Sequence, residues 1–388
     1  MTGTPGDQTG RAVVIAAGGT GGHLFPAQAL AQELARRGYA LHLVTDERGR
    51  TYTSAFPDAQ IHMVNAATFA GLGPVGRVAA MGKIGVGLAG AVGLMGRLKP
   101  AAVIGFGGYP SLPAMGAAIL RRLPTCLHEQ NAVLGRVNRA LSRRVDVIAG
   151  AFDTMRGLDD KTRARFVATG NPVRDAIRAA AGSPYEVSEE GQPFRLLIFG
   201  GSQGAHVFST LVPEALAGLD AALRGRLRIV QQCRPEDLNE VRTAYETAGI
   251  EAELAPFFDD MDTKLKQAHL VISRAGASTV TELAVVGRPA ILVPLPSAMD
   301  DHQTANAEAL TKAGGGWLMQ QGDLSADHLA ARLTELMNDP ARLAQAAGAA
   351  LTAGRPDATA ELADLVDRLA EQGRAGALLP RAQEAAQG

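Results

Sequence analysis

Several stretches of this chain place small or polar residues where an apolar run gives way to a helical pattern. The first is Gly18-Gly19-Thr20-Gly21-Gly22-His23, after AVVIAA. Glycines let the backbone approach a ligand that a Cβ would hold away, and N–H groups at a helix start suit a phosphate or pyrophosphate. His23 stands where loop becomes helix, and a near-neutral imidazole there can take a proton from an attacking hydroxyl. The bland alternatives are a ligand-free turn and a packing histidine. A second loop, Gly200-Gly201-Ser202-Gln203-Gly204-Ala205-His206, echoes the first, but His206 falls one residue later and is read as structural. A third, Ser273-Arg274-Ala275-Gly276-Ala277-Ser278-Thr279, opens a helix that carries Glu282. Glu282 has the capping-box spacing from Thr279; as a carboxylate one turn into the helix it could instead hold two adjacent ribose hydroxyls. Gly107-Gly108-Tyr109-Pro110, His128-Glu129-Gln130-Asn131 and Asp300-Asp301-His302-Gln303 follow other strand-like runs. Four polar side chains in succession beside glycine loops suit sugar hydroxyls better than a plain solvated loop.

Other chemistries fit less well. Asp260-Met261-Asp262 matches the acidic pair with which some sugar transferases hold a divalent ion, yet its context reads as a helix N-cap, so no protein-bound metal is expected. No glycine run is followed by the Lys and Ser or Thr of a P-loop. A dinucleotide fingerprint, with Asp46 as the ribose ligand, fails because Leu24 occupies the third glycine position. Cys126 and Cys233 have no metal-ligand spacing, and two cysteines in apolar runs suit a reducing compartment.

These loops need a scaffold of strand ends. Short β-branched runs alternate with helical patterns through AVVIAA, a helix over about 25–37, LHLVT, AAVIGF and TCLH, the signature of a parallel doubly wound sheet. The alternation restarts at RLLIF and runs through RIVQQC and LVIS to AILVPLP, which predicts a second such domain. A chain of 388 residues also exceeds what one core usually serves. Gly170-Asn171-Pro172 marks the boundary, giving domains of 1–171 and 172–356 and a tail of about 357–388. Open sheets bind ligands at the carboxyl ends of their strands, so a cleft between the two domains is the expected reaction site. A net charge of -1 gives no reason to expect nucleic acid. No signal peptide is expected at the polar N-terminus, and no run reaches the about 20 apolar residues of a membrane span. The segment 72–99 carries Arg77, Lys83, Arg97 and Lys99 without an acidic residue among Ile84, Val86, Leu88, Val92 and Leu94. With Arg136, Arg139 and Arg143 on one helical face, it is expected to meet an anionic membrane surface; a core helix with solvated cations is the alternative.

In series, GGTGGHLFPA, GFGGYPS, HEQN, GNPVR, GGSQGA, FFDDM, SRAGASTVTEL and DDHQTANA make the chain resemble the MurG family over roughly 13–360. These are transferases that move N-acetylglucosamine from its UDP carrier to undecaprenyl-pyrophosphoryl-N-acetylmuramoyl-pentapeptide (lipid I), forming lipid II in peptidoglycan synthesis. The resemblance implies an α/β GT-B glycosyltransferase fold of two Rossmann-like domains, an inverting reaction, no cofactor, and peripheral placement on the cytoplasmic face of the cell membrane. It assigns lipid I to the N-terminal domain, UDP-N-acetylglucosamine mainly to the C-terminal one, and the last helix to the N-terminal domain. By position, His23 becomes the candidate base on the acceptor's 4-hydroxyl, with Gly18, Gly19, Tyr109 and Glu129 toward the acceptor. Thr20, Gly21, Gly22, Asn131, Arg174, Ser202, Phe258, Ala277, Ser278, Thr279, Glu282 and Gln303 become candidates for the donor. Phe258 replaces a smaller aliphatic of some relatives, so its backbone rather than its ring is expected at uracil; His302 stands where some relatives have a glutamine. A UDP-N-acetylglucosamine epimerase of similar architecture is the closest competing expectation, and a non-catalytic UDP-sugar binder is another.

Overall fold

The computed structural model describes residues 11–18, 21–65, 73–201 and 204–374. They form two compact units, one of residues up to Arg174 together with those from Asp357, the other Asp175–Pro356. The division falls a few residues beyond the Asn-Pro turn.

Among the described residues the first unit contains seven parallel strands: β1 (Ala12–Ala16), β2 (Ala40–Thr45), β3 (Ala59–Met63), β4 (Ala102–Gly105), β5 (Thr125–Glu129), β6 (Val147–Gly150) and β7 (Phe166–Ala168). Their order is β3-β2-β1-β4-β5-β6-β7. The central strands are apolar almost throughout because both faces are covered. On one face Leu30 and Leu34 of the helix Gly21–Arg36 pack with Leu362, Leu365, Val366 and Leu369 of the helix Ala358–Gln372. On the other, Leu94 and Met95 of the helix Pro74–Leu98 meet Ala114 and Met115 of the helix Ser111–Leu120. Strand order reverses between β1 and β4, whose ends lie level at Ala16 and Gly105. That reversal is the switch point at which open α/β sheets bind ligands.

The helix Ala358–Gln372 is tied to the first unit by polar contacts as well as by its apolar face. Arg37 donates to Asp364 at 2.8 Å and to Asp367, and the Tyr39 hydroxyl donates to Asp367 at 2.7 Å. The first helix starts at Gly21, four residues earlier than the apolar pattern suggested. A Cβ at Gly21 would stand 2.8 Å from the Phe25 ring, so glycine gives this turn its room.

The second unit has six parallel strands among its described residues: β8 (Phe194–Phe199), β9 (Leu227–Gln232), β10 (Glu251–Ala255), β11 (Leu270–Ser273), β12 (Ala290–Leu292) and β13 (Gly316–Leu318). They are ordered β10-β9-β8-β11-β12-β13, with the reversal between β8 and β11, level at Phe199 and Ser273. Arg288, 1% exposed, fastens the incoming chain to this unit. Its guanidinium donates to the carbonyls of Ser183, Pro184, Leu265, Lys266, Val286 and Gly287, which satisfies the buried cation through backbone hydrogen bonds.

Candidate active site

In the first unit the loops after β1, β4 and β5 converge at the switch point. A Cβ on Gly18 would fall 2.6 Å from Pro110, and one on Gly108 would fall 2.8 Å from the Gly18 carbonyl oxygen, so glycine is required where these loops cross. Gly107 and Gly108 also have φ of 84° and 73°, a region that side chains disfavour. Gly21 is buried, Gly22 is exposed in the first helical turn, and Gly19 and Thr20 lie outside the described residues. His23, half-buried in that turn, places Nδ1 at 2.9 Å from Gln130 Oε1. Tyr109 is half-buried just ahead of the helix Ser111–Leu120.

Glu129 is 2% exposed. Its Oε1 accepts from the backbone N–H and the side-chain amide of Asn131, and its Oε2 from the Gly135 N–H and the Asn138 amide. A carboxylate so enclosed shapes the loop after β5 and orients Asn131. Gln130 and His128 are buried beneath it. Both are visible in the sequence only as polar residues of one run; Gln130 meets His23 across more than 100 positions and His128 meets Gln130 in turn, so no local signal gives either a role. Arg174 belongs to this unit, its guanidinium 5.5 Å from the centre of the Phe25 ring.

In the second unit the helix Ala277–Val286 begins at the end of β11, the strand beside the reversal. Gly276 is its N-cap and no side chain caps it. The first-turn N–H groups are thus positioned for an anion. Ala277, Thr279 and Glu282 are buried to similar extents, and Ser278 Oγ is buried with no hydrogen-bond partner among the described residues. Because the cap is Gly276, Thr279 lies inside the helix, and the capping-box reading of Glu282 is not realised. Gln303 Oε1 accepts from the N–H groups of Leu295, at 2.9 Å, and Ala275, which leaves its amide nitrogen to donate elsewhere. Just before it, Asp300 and Asp301 both adopt positive φ, strain of the kind that collects at ligand sites. Ser202 lies outside the described residues.

Phe258 is 7% exposed with Lys264 over its ring, so only its backbone is presented; the neighbouring Phe257 is 61% exposed and was not anticipated. Asp260 and Asp262 face Lys264 and Lys266 of their own short helix. Among the described residues no group of three or more His, Cys, Asp or Glu side chains is placed to hold a metal ion. Asp46 accepts from the Gly49 N–H and pairs with Arg48, which occupies the carboxylate that a dinucleotide site would need for its ribose.

Two family models match the chain: the glycosyltransferase family 28 N-terminal domain over residues 13–149, and the C-terminal domain of that family over residues 195–368. A UDP-N-acetylglucosamine--N-acetylmuramyl-(pentapeptide) pyrophosphoryl-undecaprenol N-acetylglucosamine transferase of Chelativorans sp. is 52% identical over 93% of this chain and 96% of its own. A protein of the same name from Rhodospirillum rubrum is 53% identical, over 92% of each chain. Among solved structures, Acinetobacter baumannii MurG matches with a TM-score of 0.75 at 33% identity, over 92% of this chain and 99% of that one. A protein assigned as a UDP-N-acetylglucosamine 2-epimerase from Listeria monocytogenes matches with a TM-score of 0.63 at 15% identity, over 94% of this chain and 97% of that one, a likeness of fold alone. With its two α/β units, each opening its switch point with a glycine-rich turn, the chain belongs to glycosyltransferase family 28 and, within it, to the MurG family of N-acetylglucosamine transferases.

Proposed function

We propose that this chain transfers N-acetylglucosamine from UDP-N-acetylglucosamine to the 4-hydroxyl of the N-acetylmuramoyl sugar of undecaprenyl-pyrophosphoryl-N-acetylmuramoyl-pentapeptide, with inversion at the anomeric carbon. The observation that carries the reading is a histidine held by a buried amide at the switch point, in a chain half identical to transferases named for this substrate pair. His23 Nε2 takes the proton of the acceptor hydroxyl as its oxygen attacks the anomeric carbon from the face opposite UDP. The bond from that carbon to the β-phosphate oxygen breaks, and the electron pair leaves with UDP. The uncapped start of the helix Ala277–Val286, Ser278 and Arg174 stabilise the charge that develops on the leaving group. Glu282 binds the ribose hydroxyls, the backbone at Phe258 binds uracil, and the Gln303 amide nitrogen and Asn131 bind the donor sugar. Gly18 receives the acceptor pyrophosphate, Gly21 and Gly22 line the donor, Tyr109 lines the acceptor path, and Glu129 acts on the acceptor only by shaping its loop.

The lipid tail of the acceptor calls for a membrane-facing surface. No helix of the described residues is long and apolar enough to cross a membrane. The helix Pro74–Leu98 leaves Met81 and Val86 65% and 64% exposed beside exposed Lys83, while Leu94 and Met95 pack inward. This face, with Arg136, docks peripherally on anionic lipid at the cytoplasmic face of the cell membrane. Leu72 and the side chain of Arg77 lie outside the described residues. Arg143 lies beyond the helix of Arg136, which ends at Leu141, and its guanidinium pairs with Asp159.

The reaction is tested by supplying radiolabelled UDP-N-acetylglucosamine and a water-soluble, short-chain lipid I analogue in the absence of membranes. Label joined to the acceptor through a β linkage supports the proposal. Epimerised donor without acceptor labelling would establish the epimerase reading instead.

A further inference from the structure

The contact between His23 and Gln130 is the outer end of a longer chain of hydrogen bonds, and its polarity follows from groups that can only accept. At the inner end stands the Gly170 carbonyl, 3.0 Å from His128 Nε2. That nitrogen must carry a hydrogen. His128 is fully buried, and burial pushes its pKa down to about 4, so the ring is neutral and its Nδ1 holds a lone pair. The Gln130 amide nitrogen lies 3.2 Å from that Nδ1 and 3.2 Å from the His128 carbonyl oxygen. A carbonyl cannot donate, so the NH2 end of the amide faces His128 and Oε1 faces outward. The group that meets Oε1 is His23 Nδ1, at 2.9 Å. For this contact to be a hydrogen bond, Nδ1 carries the proton and Nε2 is left with the lone pair.

We infer that Gln130 and His128 are positioning residues that fix His23 in the Nδ1–H tautomer and aim its Nε2 lone pair at the acceptor hydroxyl. The inference rests on the proposal that His23 is the base. The surroundings of His23 agree with it. A Cβ on Gly107 would lie 3.5 Å from His23 Cε1, and one on Gly108 would lie 3.5 Å from His23 Cδ2. These two carbons flank Nε2, and 3.5 Å is ordinary van der Waals contact, so the loop after β4 lines this edge of the ring without pressing on it. The relay is itself held still: Gln130 is 1% exposed, the Phe106 ring packs 5.2 Å from that of His128, and the Asn138 amide donates to the His128 carbonyl and to Glu129. In a Ser-His-Asp arrangement a carboxylate orients the histidine and stabilises its cation. Here a neutral amide performs the orientation. After proton transfer, Oε1 still accepts from Nδ1–H, so the relay needs no rearrangement in either charge state.

The tautomer is measured by long-range proton–nitrogen NMR on imidazole-labelled protein, with the His23 signals identified by their loss in His23→Gln. In the neutral ring of the parent, Nδ1 is expected to be pyrrole-like and Nε2 pyridine-like; this needs no substitution in the relay. Gln130→Met removes both amide contacts and is expected to mix the two tautomers. It should lower kcat about 10–10²-fold, the loss that follows removal of a partner orienting a metal-bound histidine, with donor KM unchanged. His128→Phe keeps a ring in the core and is expected to shift the His23 tautomer in the same direction by freeing the Gln130 amide. A parent with Nε2–H, or a Gln130→Met protein that keeps the parent tautomer, overturns the inference. If the tautomer is as expected but His23→Ala turns over at the parent rate, the relay stands as an ordering device and the base assignment is what fails.

Discussion

Glu282 lies in the second turn of a helix whose cap is a glycine, so capping does not account for its carboxylate. If it accepts two ribose hydroxyls, Glu282→Ala forfeits charge-assisted hydrogen bonds worth about 1.5–3 kcal/mol each. Donor KM should rise at least about 10-fold while acceptor KM holds; unchanged donor affinity in a folded variant would remove Glu282 from the site. Sequence and structure divide the work unevenly at this scale. The glycine loops and His23 were legible because small residues at a strand end have few other uses. In His128-Glu129-Gln130-Asn131, polarity was visible but roles were not, since these depend on partners at Gly135, Asn138, Gly170 and His23. Which of Phe257 and Phe258 turns inward was likewise settled by packing against Lys264, beyond the reach of a two-residue pattern.

Among elements, the central strands were plain in the sequence and the edges were not. β1 and β4 are buried on both faces and read as continuous apolar runs, as does β8 apart from Arg195, whereas β3 and β10 are largely half-buried or exposed and mix polar with apolar residues, and β13 is only three half-buried residues long. The helix Pro74–Leu98 combines glycines with an apolar surface that the core only partly consumes. Replacing Met81 and Val86 by Glu, or Lys83 and Arg136 by Gln, should weaken binding to anionic vesicles, the cations by about 1 kcal/mol each. Turnover on a short-chain soluble acceptor should be spared; vesicle binding equal to the parent's, measured by sedimentation, would exclude this face. The helix Ala358–Gln372 makes a different prediction, because its residues belong to the core of the first unit. Leu365→Ala should cost about 2–5 kcal/mol in chemical denaturation, and a loss near zero would mean that the tail only rests on the surface.

At the scale of the whole molecule, both units bury neutral histidines, which links their stability to pH. Burial holds His128 in the first unit and His269 in the second at a pKa of about 4, and lowers His42 and His62 as well. His269 also accepts the Arg195 N–H on Nδ1 at 2.9 Å, a bond that protonation would break. Below the ordinary histidine value of 6.5 the unfolded chain binds protons that the folded chain refuses. The contribution is therefore complete above about pH 6.5 and is lost as pH falls toward 4. Thermal midpoints should drop across that interval, and a midpoint flat from pH 7 to about 4.5 would contradict this sign. Catalysis is a separate matter, because it asks the base and the donor site to be supplied by residues far apart in sequence. The most direct measurement is turnover of His23→Ala on the soluble acceptor, set beside its affinity for UDP by calorimetric titration. The predicted result is a fall in kcat of about 10²–10⁴-fold with UDP affinity unchanged. Near-normal turnover would contradict the account and place the base elsewhere.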